Sequence, residues 1–357
     1  MEIIAWLGFS HGLFAAVLMM AKRERTVSDQ ILTAWLCLLA IEFLSCAIDI
    51  NVFGEPLLSS SFLLFNPAFY LYVKSLTDET FKLKYIQLLH LVPFVAFKTA
   101  SYILQEPFSL ISFFDPDSTI LFRYLFSVAS VISWISYNSI SAINVVQHRR
   151  KLKNEFSTLR YDIKLTWLLF VVVFYNLFCG GAIIIGVISV IFGFSLPLTY
   201  IYVYSGMLVL VYILGFYGLM QKRVVIKDDL DNDSEKKYQK SILTKDKKQK
   251  IKNIILEYFK THKPYLNPEF NMTLLSESLK IPKYQLTEVL NVELNKNFFQ
   301  FVNEYRVKEV KRHLSNKKNY YSIEAIGYES GFSSKSSFFQ VFKKITGKTP
   351  LEYKNTL

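Results

Sequence analysis

Seven apolar stretches occupy the first 220 residues of this chain, each about as long as a bilayer is thick. A helix rising about 1.5 Å per residue needs roughly 20 apolar residues to cross about 30 Å of hydrocarbon. Inside hydrocarbon every backbone N–H and C=O must find a partner, and long unbroken runs meet that demand as helices. The stretches cover 3–21, 30–50, 57–76, 85–105, 119–147, 165–192 and 197–220. Beyond Met220 the pattern changes, because residues 221–357 are polar and basic with short amphipathic periods. The expected fold is all-α: a seven-helix transmembrane domain over 1–220, a charged linker over 221–250 and an all-helical domain over 251–357.

Charge sharpens this division. Residues 1–220 hold 14 Lys and Arg against 13 Asp and Glu, and the remainder hold 27 against 16, so almost all of the net +12 lies in the C-terminal part. A surface of that sign suits phosphates or anionic lipid. A hydrophobic fraction of 52% and an aromatic fraction of 16% are high for a chain dissolved in water.

The loops fix an orientation through the positive-inside bias. Lys22, Arg23 and Arg25 lie in the first loop, Lys74, Lys82 and Lys84 in the third, and Arg149, Arg150, Lys151, Lys153, Arg160 and Lys164 in the fifth. The second, fourth and sixth carry no Lys or Arg; the second has Glu55 and the fourth has Glu106, Asp115 and Asp117. The expected protein is a multi-pass protein of the cytoplasmic membrane, with its N-terminus outside and everything after Met220 in the cytoplasm. A signal peptide is a poorer reading of the first stretch, whose basic residues follow the apolar run instead of preceding it.

Charged groups within spans are costly, about 2.5 to 3.5 kcal/mol each at a helix centre, unless paired or wetted. Glu42 falls mid-span, and Asp49, Lys98 and Arg123 fall in the outer portions of the second, fourth and fifth stretches. They are candidates for a small polar ligand, with a structural ion pair such as Asp49 with Arg123 as the alternative. Asn66 beside Pro67, and His90 near Pro93, point to kinks and interhelical hydrogen bonds, and Gly180, Gly181 and Gly186 to close helix packing. Cys37, Cys46 and Cys179 all lie within spans, which argues against a disulfide framework or a zinc site. The sequence has no His-Glu-x-x-His motif, no Gly-rich phosphate loop and no Lys in the last stretch for a Schiff base. Neither an enzymatic activity, a metal nor a cofactor is expected.

Asp228, Asp229, Asp231 and Asp233, followed by Lys236, Lys237, Lys240, Lys245, Lys247, Lys248 and Lys250, have no apolar period and read as a solvated tether. A helix is expected from near Ile251 to Pro264. Next come a short helix with Leu274, Leu275 and Leu279 inward, a turn at Ile281 and Pro282, and a second helix with Leu286, Val289 and Leu290 inward. A longer helix carries Phe298, Phe301, Val302 and Tyr305 at i, i+3, i+4 and i+7, with a basic flank of Arg306, Lys308, Lys311 and Arg312. The unit then repeats about 52 residues on: Ser322 caps a helix with Ile323 and Ile326, Gly331 makes the turn, and Ser334 opens a helix with Phe338, Val341, Phe342 and Ile345 inward. Two helix-turn-helix motifs, about 273–293 and 322–345, joined by one helix are far more specific than either alone.

From Pro264 to the end the residues resemble the AraC/XylS family of bacterial transcription regulators. The resemblance is carried by Gly331, Phe332, Ser333, Ser337, Phe338, Phe342, Lys343 and Lys344, the closing Thr346, Gly347, Lys348, Thr349, Pro350, Glu352 and Tyr353, and by Leu275, Leu279, Leu286, Phe301, Asn303 and Arg306. Gly327 departs from the usual Ala, Lys354 from the usual Arg, and Asn297 from a usual Gly whose left-handed conformation Asn tolerates. The resemblance implies that each second helix enters a major groove. Lys283, Tyr284, Thr287, Glu288 and Asn291 on one, and Lys335, Ser336, Phe339 and Gln340 on the other, are then the candidates for base edges. Lys308, Lys311, Lys343 and Lys344 are the candidates for phosphates. Glu288 is unusual on such a face, where a basic residue is common.

The expected function is a membrane-bound regulator that couples a signal sensed in the spans to promoter binding. Expected partners are double-stranded DNA, the lipid bilayer, a small-molecule or membrane-borne signal, a second copy of the chain and RNA polymerase. A transporter or channel with a regulatory cytoplasmic domain is the alternative, but it predicts internal repeats that are not evident among the seven stretches.

Overall fold

The computed structural model describes residues 1–54, 62–78, 80–106, 116–158, 166–192, 197–221, 243–316 and 321–357. Expectations that fall on Glu55, Leu57, Asp115, Arg160, Lys164, Leu165 and residues 222–242 of the linker lie outside them. Among the described residues the regular structure is all helical, with one isolated antiparallel bridge between Phe156 and Asn271. The chain forms two compact units, Met1–His148 with Leu165–Val225, and Arg149–Lys164 with Ile226–Leu357.

The first unit contains α1 (Glu2–Met20), α2 (Val27–Ile48), α3 (Phe62–Thr77), α4 (Val92–Leu104), most of α5 (Ile120–Glu155), α6 (Thr166–Phe192) and α7 (Pro197–Met220). A 3-10 turn at Tyr85–Leu91 leads into α4, whose first turn holds Pro93, where proline loses no hydrogen bond. Among the described residues six helical stretches are long and apolar enough to cross a membrane, and α3, described over 16 residues, is the remaining apolar helix.

The core forms around α2. Trp35 meets Phe69 and Tyr72 at ring separations of 5.9 and 6.2 Å, and Phe69 stacks on Tyr175 at 4.7 Å. Outward, Ile3, Phe14, Ile103, Leu121, Leu177 and Phe192 are each more than half exposed, an apolar exterior that suits lipid better than water. Asn66 and His90 make the interhelical bonds expected of them. Asn66 donates to Ser133 Oγ at 3.3 Å and accepts from Tyr175 at 2.9 Å, while His90 Nδ1 lies 2.7 Å from the Tyr137 hydroxyl. The three cysteines are free thiols, two of them buried.

Lys22 ties the helix ends together. Its ammonium donates to Asp29 at 2.8 Å and to the carbonyls of Gly218 and Gln221 at 3.3 and 3.2 Å, capping the negative end of α7. Six helices, α2 to α7, separate Lys22 from Gln221.

Where α4 leads to α5, the Arg123 guanidinium is buried and reaches Glu106 at 3.2 Å, Asp117 at 3.0 Å and Thr119 Oγ1 at 2.8 Å. Hydrogen bonds from Arg123 and Thr119 hold the Asp117 carboxyl down at about 2. A depressed carboxylate stabilises the fold fully above its unfolded value of about 3.9, and that contribution is lost as pH falls through the folded value. A carbon NMR titration of Asp117 in the solubilised chain should therefore give a midpoint well below the ordinary range. A midpoint near 4 would mean that the clamp is open.

The second unit contains α8 (Lys245–His262), a 3-10 turn (Pro264–Leu266), α9 (Met272–Leu279), α10 (Lys283–Glu293), α11 (Phe298–Ser315), α12 (Ile323–Glu329), α13 (Lys335–Thr346) and α14 (Pro350–Lys354). It also takes in Arg149–Lys164, which nothing in the sequence pattern assigns to it. α11 serves two cores. Phe298, Phe301 and Val302 pack with Ile255, Phe259, Leu275 and Leu286, and further along Val307 and Val310 pack with Ile326, Phe332, Phe338 and Phe342.

Local details differ from expectation at three places. α8 starts at Lys245, capped by Thr244, six residues before Ile251, because good helix formers extend it beyond its last apolar contact. The left-handed residue in the turn before α11 is Asn295, at φ 51°, whereas Asn297 is extended and caps α11 through a reciprocal bond with Gln300. Ile345, expected inward, is exposed near the end of α13.

Candidate nucleic-acid interface

The second helix of the second motif, α13, presents one face. Ser334 caps it by accepting from the Ser337 N–H at 3.3 Å, and Gly347, at φ 78°, ends it. Phe338, Val341 and Phe342 bury the inner face, leaving Lys335, Ser336 and Gln340 exposed on the other. Phe339 is partly buried, with its ring 5.2 Å from that of Phe338 and the Lys335 ammonium 5.9 Å from its own centroid. Lys335 also pairs with Glu324 on α12. Lys343 and Lys344 are exposed in the last turn.

Gly327 explains itself in this packing. A Cβ there would lie 2.5 Å from a ring carbon of Phe338, so the departure from alanine lets α13 sit closer to α12.

The second helix of the first motif, α10, is partly covered. Tyr284 is exposed and Lys283 and Asn291 are partly so, but Thr287 and Glu288 are buried. The expectation that Glu288 faces outward is corrected by α8, which packs against α10 and brings Lys248 within 2.8 Å of the Glu288 carboxylate. In this arrangement Glu288 holds one helix to another and is not available to a base edge. Of the basic residues on α11, Lys308 is exposed, with its ammonium 5.2 Å from the Tyr305 ring centroid. Lys311 is partly buried, 5.1 Å from the Tyr353 ring centroid.

Arg306, counted by sequence in the basic flank of α11, is fully buried. It stands four residues from Val302 and eight from Phe298, on the apolar stripe, and that spacing is the signal that places it inward. Its guanidinium donates to the carbonyls of Tyr265 and Asn267 at 2.8 and 2.9 Å, ahead of the first motif, and lies 5.9 Å from the ring centroid of Phe332 in the turn of the second. Burial pushes its pKa down to about 9, which leaves it charged at neutral pH.

In the first unit the four ionisable candidates divide. Glu42 and Asp49 are buried, Tyr204 donates to Glu42 at 3.3 Å, and the Lys98 ammonium on α4 lies 5.5 Å from the Tyr102 ring centroid. Arg123 is instead engaged by Glu106 and Asp117.

The family model for helix-turn-helix domains matches residues 275–356. This supports a DNA-binding transcription regulator of the AraC type. A solved structure of a protein of unknown function from Listeria innocua is 27% identical, covering 30% of this chain and 95% of its own, with a TM-score of 0.27. No curated protein matches. The matched helix-turn-helix domain begins within α9 and ends after α14, so it includes both reader helices and the α11 that joins them.

Proposed function

We propose that the chain is a membrane-anchored transcription regulator whose cytoplasmic helix-turn-helix domain reads a promoter under the control of its spanning helices. The observation that carries this reading is the open face of α13, where Lys335, Ser336 and Gln340 stand exposed beside Lys343 and Lys344. Gln340 suits a bidentate pair with adenine, Lys335 donation to guanine, and Phe339 contact with a thymine methyl. Lys308, Lys311, Lys343 and Lys344 bind phosphates and set the register. Lys283 and Tyr284 serve the first groove, with Thr287 and Glu288 in support behind them. The input is read among Glu42, Asp49 and Lys98, and a dimeric bundle would raise the local concentration of paired domains for paired half-sites.

Alanine at Lys335 or Gln340 is expected to cost about 1 to 3 kcal/mol of discrimination between specific and random DNA, roughly five- to 150-fold. Alanine at Lys343 or Lys344 should weaken both alike and flatten the salt dependence by about one unit of slope each. The assay is competition binding by the solubilised full chain over a salt series, using DNA fragments recovered with it from cells. Equal loss on specific and random DNA for the 335 and 340 variants would remove α13 from the role of reader.

A further inference from the structure

The connection between α5 and α6 makes its described contacts inside the DNA-reading unit. α5 ends at Glu155, after Leu152 has been buried, and Phe156 forms the antiparallel bridge with Asn271, the residue that caps α9. Ser157 is buried. Its hydroxyl donates to the Phe270 carbonyl and accepts from Arg306 at 3.1 Å, and its carbonyl accepts from Asn303 at 2.9 Å and Arg306 at 3.1 Å. Thr158 Oγ1 accepts from Arg306 at 2.9 Å. Among the described residues the hydrogen-bond partners of this buried guanidinium are all carbonyl and hydroxyl oxygens, shared between Ser157 and Thr158 on one side and Tyr265 and Asn267 on the other.

We infer that the notch formed by Phe270, Asn271, Asn303 and Arg306 is an interaction surface whose partner is this chain's own α5–α6 connection. A buried Arg without a carboxylate needs several oriented acceptors, and residues 157–158 supply three of the five oxygens that Arg306 contacts. The seat lies on the helix that joins the two motifs, and Arg306 also faces Phe332 in the second. The chain therefore enters the reading unit twice, once through the linker before α8 and once through a segment held at both ends by spanning helices. Displacement of α5 or α6 would be delivered to α11, which sets the spacing of the two readers. Only this regulatory consequence rests on the regulator reading. The seat itself does not.

Oxidative cross-linking of the full chain in native membranes tests the seat. Antiparallel partners have Cα atoms about 4.5 to 5.5 Å apart, within the range a disulfide spans. The Phe156→Cys, Asn271→Cys double variant should form an intrachain bond under mild oxidant, seen as fragments that stay joined after protease cuts between the two positions. Either single variant should not. Failure of the double variant to cross-link overturns the seat. Hydrogen exchange then tests its effect on α11: with residues 156–158 replaced by glycine, amides of 302–310 in the solubilised chain should exchange about tenfold faster than in the wild type. Unchanged exchange overturns the claim that the segment supports the linking helix. Both measurements are independent of DNA, so a chain that cross-links but binds no DNA site would refute the regulator reading and leave the seat standing.

Discussion

Replacing Gly331 with alanine is expected to unfold the second helix-turn-helix motif while leaving the first unit, with its apolar helices, intact. Gly331 has φ 90°, and a Cβ there would overlap the Tyr265 carbonyl oxygen and lie 3.0 Å from Leu266 Cα. The obstacle is backbone, so no side chain can swing aside. Backbone strain of about 1 to 3 kcal/mol adds to about 1 to 3 kcal/mol of overpacking, a large share of a small domain's stability. Gly347 is the control. It has φ 78° with nothing within 4 Å of its Cβ position, so Gly347→Ala should cost only about 1 kcal/mol. Urea unfolding of the second unit in the solubilised chain, followed by hydrogen exchange in α12 and α13, separates the two. Equal small losses would mean that the turn does not press on Tyr265 and Leu266.

Arg306→Met should be as damaging for a different reason. Methionine suits the apolar stripe of α11, but it donates no hydrogen bonds. The Tyr265 carbonyl would lose its described donor in a buried place, and the carbonyls of Asn267 and Ser157 would keep only the Phe270 N–H and the Asn303 amide. Breaking such a network costs about 3 to 5 kcal/mol, most of it the desolvation of groups left behind. Lysine should not rescue it, since one ammonium cannot reproduce a planar fork that reaches several acceptors. Near-normal unfolding of Arg306→Lys would show that charge alone matters there. In Arg306→Met Phe332 loses the cation beside it, so the damage should extend to the second motif.

What was legible in the sequence was what is encoded locally. The apolar runs declare their helices by length, and Ser322, Gly331, Ser334 and Gly347 declare the second motif because caps and left-handed turns admit few residue types. Tertiary cover was not legible. The period of α10 puts Glu288 opposite Leu286 and Leu290, and nothing in that period says that α8 will lie across it with Lys248. Arg306 looked basic and therefore exposed, although its spacing from Val302 and Phe298 placed it inward. Ser157 gave no local signal, because its partner Arg306 is 149 residues away. Of the charges placed in the spans, Glu42 is met by Tyr204 and Arg123 is held by carboxylates of its own connection. Spacing along separate helices cannot distinguish those two outcomes.

The most direct measurement is the recovery of DNA bound in cells by the full-length chain, taken from the membrane fraction after cross-linking. A membrane-anchored regulator predicts a small number of discrete enriched sites, lost when Lys335 and Gln340 are both alanine while the protein remains in the membrane at its normal level. Wild-type protein that is intact and membrane-bound, yet enriches no discrete site under any growth condition tried, would contradict it.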